Sequence, residues 1–441
     1  MVIASIDLKG GRVVQLKNGR DLMLERDDPE ALIAEFNKYG EVAVIDLDAA
    51  LGARDASGKT ANTDILKGLL RRGNVRVGGG VRDVKTAKEL VSLGAEKVIV
   101  GSAAFKAAEG APTSGPSGGD DSGPVPLNVE FLEALGAAVG RERIIISVDA
   151  INGNIAVNGW TKTSGVPLIA GARAAEKYCS ELLFTCVEKE GCMGGTDMDA
   201  VKRLREGVST RLVAAGGVST LEEVAALARI GVDAQLGMAL YTGAVNLADC
   251  FAECLDWQKS PLIPVIAQSP AGEVLMLGFA NKDAIRATFA SGRLTFWSRT
   301  RNRLWTKGET SGNFLRLLRL RADCDRDTVL ATVVPQGPVC HTGSWSCFSS
   351  EAAEESSLER LWNIVEGRFA NPAPGSYTAT LDAQRVREKI LEEAEELTEA
   401  AGPSEVIWEC ADLLYFMTVL MNREGVAYRD VLDELDRRHK Q

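Results

Sequence analysis

Through the first 257 residues, short apolar runs alternate with stretches whose apolar positions recur at helical spacing. EVAVIDLD, VRVGGG, EKVIVGS, RIIISVDA, ELLFTCV and TRLVAAGG are such runs, rich in β-branched residues. Strands separated in this way by amphipathic helices predict parallel β/α units. About eight runs in this length suit a (β/α)8 TIM barrel, with a doubly wound open sheet as the alternative. The pattern also repeats. GGVRDVKTAKELVSLGAEKVIVGSAAF (79–105) parallels GGVSTLEEVAALARIGVDAQLGMALY (216–241), and SIDLKGG around Asp7 is echoed by SVDAING around Asp149. Two similar halves predict a barrel of two half-barrels.

The alternation breaks at APTSGPSGGDDSGPVP (111–126), which reads as a flexible insertion after the fourth strand, a neutral surface loop rather than a lid. Residues 260–348 crowd short strands into a small α+β domain. The acidic SSEAAEESS (349–357) reads as a linker. From Leu358 to residue 441 the period becomes helical, in REKILEEAEELTEAA and EVIWECADLLYFMTVLM, which predicts an all-α bundle. The architecture expected is therefore multidomain.

Length and charge narrow the function. At 441 residues the chain exceeds one ordinary core. A net charge of -11 argues against general nucleic-acid binding, which needs a basic surface. No apolar run approaches the roughly 20 residues of a membrane span. The start MVIASIDLKGG reads as strand and turn, so a cytoplasmic location with free or metal-bound thiols is expected for the nine cysteines. Only two histidines occur, His341 and His439.

Candidate chemistry falls in three places. In the barrel, Gly79 and Gly80 with Gly101 and Ser102, and Gly216 and Gly217 with Gly237, form two pairs of glycine-rich turns. Glycine lets backbone N–H groups approach an anion, so the duplicated set suits a substrate with a phosphate at each end. Taken singly, each turn is only a tight turn. Asp7 and Asp149 end strands one and five and could act in turn as base and acid. SIDLKGGRVVQL, VIDLDAALG, VGGGVRD, VDAINGNIAVNGW and AAGGVST resemble the phosphoribosylformimino-AICAR-phosphate isomerase family of histidine biosynthesis, and more distantly its sister cyclase. The resemblance implies an Amadori rearrangement with Asp7 as base and Asp149 as acid, and a threonine at Thr185 beside them. TCVEKEGC (185–192) departs from that family, with Glu190 for an aspartate and Cys192 for a threonine. Ala43 likewise stands for a histidine and Ala49 for a glycine.

In the middle domain, RADCDRD (321–327) precedes GPVCHTGSWSCF (337–348). Cys324, Cys340 and Cys347 offer three thiolates, a donor set for catalytic zinc with one open position. His341 is the natural proton shuttle. Asp323, Asp325 and Asp327 suit Mg²⁺. Read as a strand, this stretch turns the three aspartates to one face and Cys324 and Arg326 to the other. GEVLMLGF, TFWSRTRNRLWTKGETSGN, ADCDRDTVL and GPVCHTGSWSCF resemble phosphoribosyl-AMP cyclohydrolase. That resemblance implies the same zinc and magnesium ligands, hydrolytic opening of a purine ring, and a homodimer in which a cysteine comes from the partner. Arg299, Lys307 and Glu309 become candidate substrate contacts.

In the bundle, Glu392, Glu393 and Glu396 share a helix face, as do Glu409 and Asp412. A solvated face is the plain reading of one such stripe; two packed together make a carboxylate cavity for Mg²⁺. LERLWNIVEGR, GSYTATL, KILEEAEELTEA and ECADLLYFMTVLM resemble the MazG-like helical pyrophosphohydrolases, in their phosphoribosyl-ATP pyrophosphatase branch. This implies magnesium on those five carboxylates and supporting roles for Lys389, Ser376 and Tyr377; Phe416 departs from a histidine common in the branch. The three resemblances name consecutive steps on phosphoribosyl small molecules. The expectation is a trifunctional enzyme, dimeric through the zinc and helical domains, with neither nucleic acid nor membrane as partner. The alternative is a bifunctional enzyme whose barrel only binds or supports.

Overall fold

The computed structural model describes residues 1–439 except 18, 57, 107–125, 158, 349–357 and 374. Most of the 111–126 insertion and all of the 349–357 linker therefore lie outside the described residues. The chain divides into two compact units, Met1–Gly337 and Pro338–His439.

Eight parallel strands open the first unit: β1 (Val2–Lys9), β2 (Val42–Asp46), β3 (Val75–Gly78), β4 (Lys97–Val100), β5 (Ile144–Ser147), β6 (Glu181–Thr185), β7 (Arg211–Ala215) and β8 (Asp233–Leu236). Each pairs with the next, and β8 pairs with β1 through Val2 to Ala234, which closes the barrel. The strands are short and almost wholly buried, because helices cover the outside while their side chains fill the inside. Ile3, Ala43, Ile99, Ile145, Leu183 and Val213 make the interior cluster. Some of the helices between strands begin at side-chain caps. Asp83 accepts from the Thr86 N–H, and Thr220 with Glu223 forms a reciprocal capping box.

The strands start at a charged end. Arg76, with its side chain 1% exposed, pairs with Glu181 and Glu41 there. Arg211 bridges Glu181 at 3.0 Å and Asp233 at 2.8 Å. Burying this many charges is tolerable only because they neutralise one another. The opposite end, where the strands finish, is open.

The same unit continues into a four-stranded sheet of β9 (Ile263–Gln268), β10 (Val274–Ala280), β11 (Leu315–Ala322) and β12 (Val329–Pro335), in the order β10-β9-β12-β11. The helix Lys282–Ser291 and a ribbon of Thr295–Ser298 with Arg303–Thr306 complete it. It docks on the barrel through Phe289, which stacks on Tyr39 with centroids 4.1 Å apart and meets Phe251 edge-on. Arg286 adds an ion pair to Asp249 at 2.6 Å.

One expectation is corrected here. Residues 323–327 are not a strand but the turn joining β11 to β12, closed by the Asp323 N–H donating to the Thr328 carbonyl at 3.0 Å. Arg326 sits at φ +63° within it. The two-faced alternation read from the sequence therefore does not apply to this stretch.

The second unit begins with a loop closed by Val339 N–H to Trp345 O and Cys340 N–H to Ser344 O, both 3.0 Å. Helices Leu358–Ala370, Tyr377–Thr380, Ala383–Glu399, Pro403–Arg423 and Tyr428–His439 follow. Val365, Leu381, Val386, Phe416 and Val419 form their core. Asp382 caps the third helix, and Pro403 takes the first turn of the fourth, where its missing N–H costs nothing.

Candidate functional sites

The open end of the barrel holds a cavity of about 270 Å³. Asp7, Asp149, Thr185, Gly79, Gly80, Gly101, Ser102, Gly216, Gly217 and Gly237 all line it. The two halves match at atomic detail. Ser5 donates its hydroxyl to Asp7 at 2.8 Å, and Ser147 donates to Asp149 at 2.6 Å. Gly79 and Gly216 take φ +98° and +86°, and a Cβ at either would strike backbone: Asp46 O at 2.1 Å, Cys186 O at 2.7 Å. These positions need glycine on both counts. Gly101 and Gly237 share a second unusual conformation, near φ -99°, ψ -111° and φ -114°, ψ -102°.

The acid pair is not electrostatically symmetric. Burial lifts Asp7 to about 6, opposed only by the Ser5 hydroxyl. Asp149 is also raised by burial, but Ser147, Trp160 and Thr185 all donate to it and hold it back. The Trp160 indole N–H reaches Asp149 at 2.8 Å from a backbone at φ +64°. A third carboxyl shares the cavity. Glu190 is pushed up to about 8 by burial and by the nearby charges of Asp7 and Asp149. It therefore carries its proton at neutral pH and can donate a hydrogen bond. Sequence reading registered Glu190 only as a departure, and it passed over Ser5 and Ser147. The repeated Ser-x-Asp in SIDLKGG and SVDAING was the available signal for the serines.

In the second domain, Asp323, Asp325 and Asp327 bring carboxylate oxygens within 4.8 Å of one another. The Lys259 ammonium bonds Asp325 and lies 2.8 Å from Asp327, where it holds Asp325 below the usual carboxylate range. A cation thus already stabilises this cluster, and hard oxygen donors fit magnesium. Glu309 accepts from Arg303 and from the Thr306 N–H, both at 3.3 Å, which gives it a part in shaping the ribbon. Arg299 lies over the Phe279 ring at 3.9 Å, and Lys307 is buried.

Of the thiols, Cys324 lies in the first unit and Cys340 and Cys347 in the second. Thr342 donates to the Cys340 sulfur at 3.1 Å; this contact, with help from Cys347, holds the thiol below its ordinary pKa. A stabilised thiolate suits zinc. His341 is exposed, its Nδ1 3.8 Å from the same sulfur.

In the helical unit, Glu393, Glu396 and Glu409 converge within 4.8 Å. Glu409 is raised by desolvation and by Glu396, Glu393 and Asp412 around it. Its Oε2 is buried without a hydrogen-bond partner among the described residues. A hard divalent cation would satisfy that oxygen and cancel the repulsion, so the donor set fits magnesium. Lys389 bonds Glu392 at 2.8 Å and Glu393 at 2.9 Å. Lys389, Glu393 and Asp412 line one cleft with Ser376, Tyr377 and Phe416.

Three family models match successive parts of the chain. One described as histidine biosynthesis protein matches residues 1–111 and 125–246. One for phosphoribosyl-AMP cyclohydrolase matches 276–349, and one for phosphoribosyl-ATP pyrophosphohydrolase matches 358–439. Among curated proteins, the histidine biosynthesis bifunctional protein HisIE of Vibrio parahaemolyticus is 42% identical over 200 residues, covering 43% of this chain and 95% of the relative. The protein of the same name from Escherichia coli K12 is 43% identical over 194 residues, 42% of this chain and 96% of the relative. That of Bacteroides thetaiotaomicron is 44% identical over 194 residues, with the same coverage. The chain belongs to the histidine biosynthesis protein family, as a fusion that joins a barrel of that family to phosphoribosyl-AMP cyclohydrolase and phosphoribosyl-ATP pyrophosphohydrolase domains.

Proposed function

We propose that the chain performs three consecutive steps on phosphoribosyl small molecules. The helical unit releases pyrophosphate from phosphoribosyl-ATP, the second domain opens the purine ring of phosphoribosyl-AMP by hydrolysis, and the barrel isomerises the product. The observation that carries the barrel's part is the cavity itself. It brings two Ser-supported aspartates together with two equivalent glycine cradles.

An Amadori rearrangement needs an acid to protonate the sugar ring oxygen and a base to take the proton from C2. Asp7, titrating near 6, is ionised at neutral pH and suits the base. Asp149 takes the acid's part by the family resemblance, and the Ser147, Trp160 and Thr185 donors fix its orientation. The cradles at Gly79–Gly80 and Gly216–Gly217 would hold the terminal phosphates and set the sugar between the two carboxyls.

A zinc held by Cys324 of one copy with Cys340 and Cys347 of another, as the resemblance implies, would supply Lewis acidity that activates water, and magnesium on the two carboxylate clusters would supply charge neutralisation for phosphates. The chain's own part is to orient. His341 stands beside Cys340 and can pass a proton. Lys389 steers Glu392 and Glu393 along one helix face. A homodimer through the zinc and helical domains is supported by apolar side chains left uncovered on the bundle. Leu391, Ile407 and Trp408 are about 70% exposed. We infer a cytoplasmic location. All nine cysteines are free, and no helix among the described residues is long and apolar enough to cross a membrane.

The test of the barrel is direct. Given the ring-opened aldimine, the purified full chain converts it to the ketose, and Asp7→Asn does not. Equal turnover in Asp7→Asn refutes the assignment.

A further inference from the structure

The turn that carries Asp323, Asp325 and Asp327 is tied to the closed end of the barrel. Arg326, in its middle, is 17% exposed and reaches away from its own domain. Its Nη2 donates to Asp233 at 2.6 Å, and its Nη1 donates to the Ala228 carbonyl at 3.2 Å. Its own carbonyl accepts from the Asp256 N–H at 2.8 Å, on the segment leaving the barrel. Asp233 opens β8 and is itself fixed by Arg211, whose Nε donates to it at 2.9 Å. Three contacts thus pin one residue, and they hold it at φ +63°, a conformation that a residue with a side chain rarely adopts.

The consequence falls on its neighbours. Lys259 offsets only part of the repulsion among three carboxylates within 4.8 Å, and a free five-residue turn would splay to relieve the rest. A turn held at its centre pays less ordering cost when it takes a cation. We propose that Arg326 is a positioning residue for the aspartate site of the second domain, with the closed end of the barrel as its rigid support. The barrel's two ends then serve two different reactions. This rests on reading the aspartates as a magnesium site.

The test uses manganese(II) as the probe, bound to the full chain and counted by electron paramagnetic resonance. Glu396→Gln and Glu409→Gln form the background, which removes the helical cluster. Arg326→Gly removes the side-chain tether without adding strain, since glycine takes φ +63° freely, and Asp233→Asn tests the tether with the turn's backbone unchanged. Arg326→Lys keeps a charge for Asp233. The expected result is weaker manganese binding in Arg326→Gly by about tenfold or more, with most of it restored in Arg326→Lys. Asp233→Asn, which attacks the tether from the barrel side, should weaken binding in the same direction. Binding within twofold of the background in both Arg326→Gly and Asp233→Asn overturns the proposal. An Asp325→Asn control separates the two levels. If it leaves manganese binding intact, the magnesium reading fails and the support role with it. If it abolishes binding while Arg326→Gly does not weaken it, only the support role fails.

Discussion

Replacing Asp7 by asparagine separates what the barrel's base costs from what it does. Burial raises its pKa from 3.8 to about 6. The folded chain therefore holds this proton more tightly than the unfolded chain. The carboxyl is nearly free of penalty below pH ~4, and the penalty grows until pH ~6 and stays level above. A shift of about two units corresponds to about 3 kcal/mol. Asp7 is partly open to the cavity, so screening reduces this to roughly 1–2 kcal/mol. Asparagine has the same shape and keeps an oxygen for the Ser5 hydroxyl, which now donates at 2.8 Å. Asp7→Asn should thus stabilise the barrel by about 1–2 kcal/mol at pH 7.5, and by much less at pH 4.5. Isomerisation should fall by about a thousandfold or more, about 4 kcal/mol in barrier. The assay is urea unfolding at both pH values, followed by pulse-labelling hydrogen exchange of the peptide that contains Ile144–Ser147. Destabilisation at pH 7.5, or a gain equal at the two pH values, would refute the argument that burial loads this carboxyl.

Glu190, titrating near 8, should ionise in alkaline solution beside Asp7, Asp149 and the Gly216 cradle. The KM for a bisphosphate substrate should rise above pH 8 in the parent and stay flat in Glu190→Gln, as KM measured from pH 7 to 9 would reveal. In the bundle, Glu409→Gln should abolish the thermal stabilisation that magnesium gives the helical unit, and should slow pyrophosphate release by about a hundredfold or more. Calorimetry with and without magnesium checks the first, and an unchanged magnesium response contradicts it. Lys259 competes with any cation for Asp325 and Asp327. Lys259→Met should therefore tighten manganese binding there by a few-fold, and weaker binding would show that the lysine helps form the site.

Much of the architecture was legible because its signals are local or repeated. The (β/α)8 pattern needs only alternation of strand and helix periods, and the half-barrel echo placed Asp7 and Asp149 as partners before any geometry. The glycines at 79 and 216 were legible as turns. That a side chain there would strike the backbone of Asp46 or Cys186 depends on segments far along the chain. RADCDRD misled for a physical reason. Five alternating polar residues look alike in a strand and in a turn, and the partner of Arg326 in the turn, where it takes a left-handed φ, is Asp233, 93 positions away. Glu190 was read as a departure because its effect is electrostatic. Its proton is retained through burial and through the two aspartates that folding brings near it. The acid stripe of the bundle was visible at helical spacing, but the buried oxygen that singles out Glu409, without a partner among the described residues, appears only once two helices pack.

The central claim is that one chain carries all three steps. Its most direct test is a time course of the purified full chain with phosphoribosyl-ATP, magnesium and zinc, with each intermediate quantified by mass spectrometry. The account predicts pyrophosphate release, transient phosphoribosyl-AMP, transient ring-opened aldimine and final accumulation of the ketose isomer. A reaction that stops at the aldimine, with no ketose even when that compound is supplied directly, would contradict it.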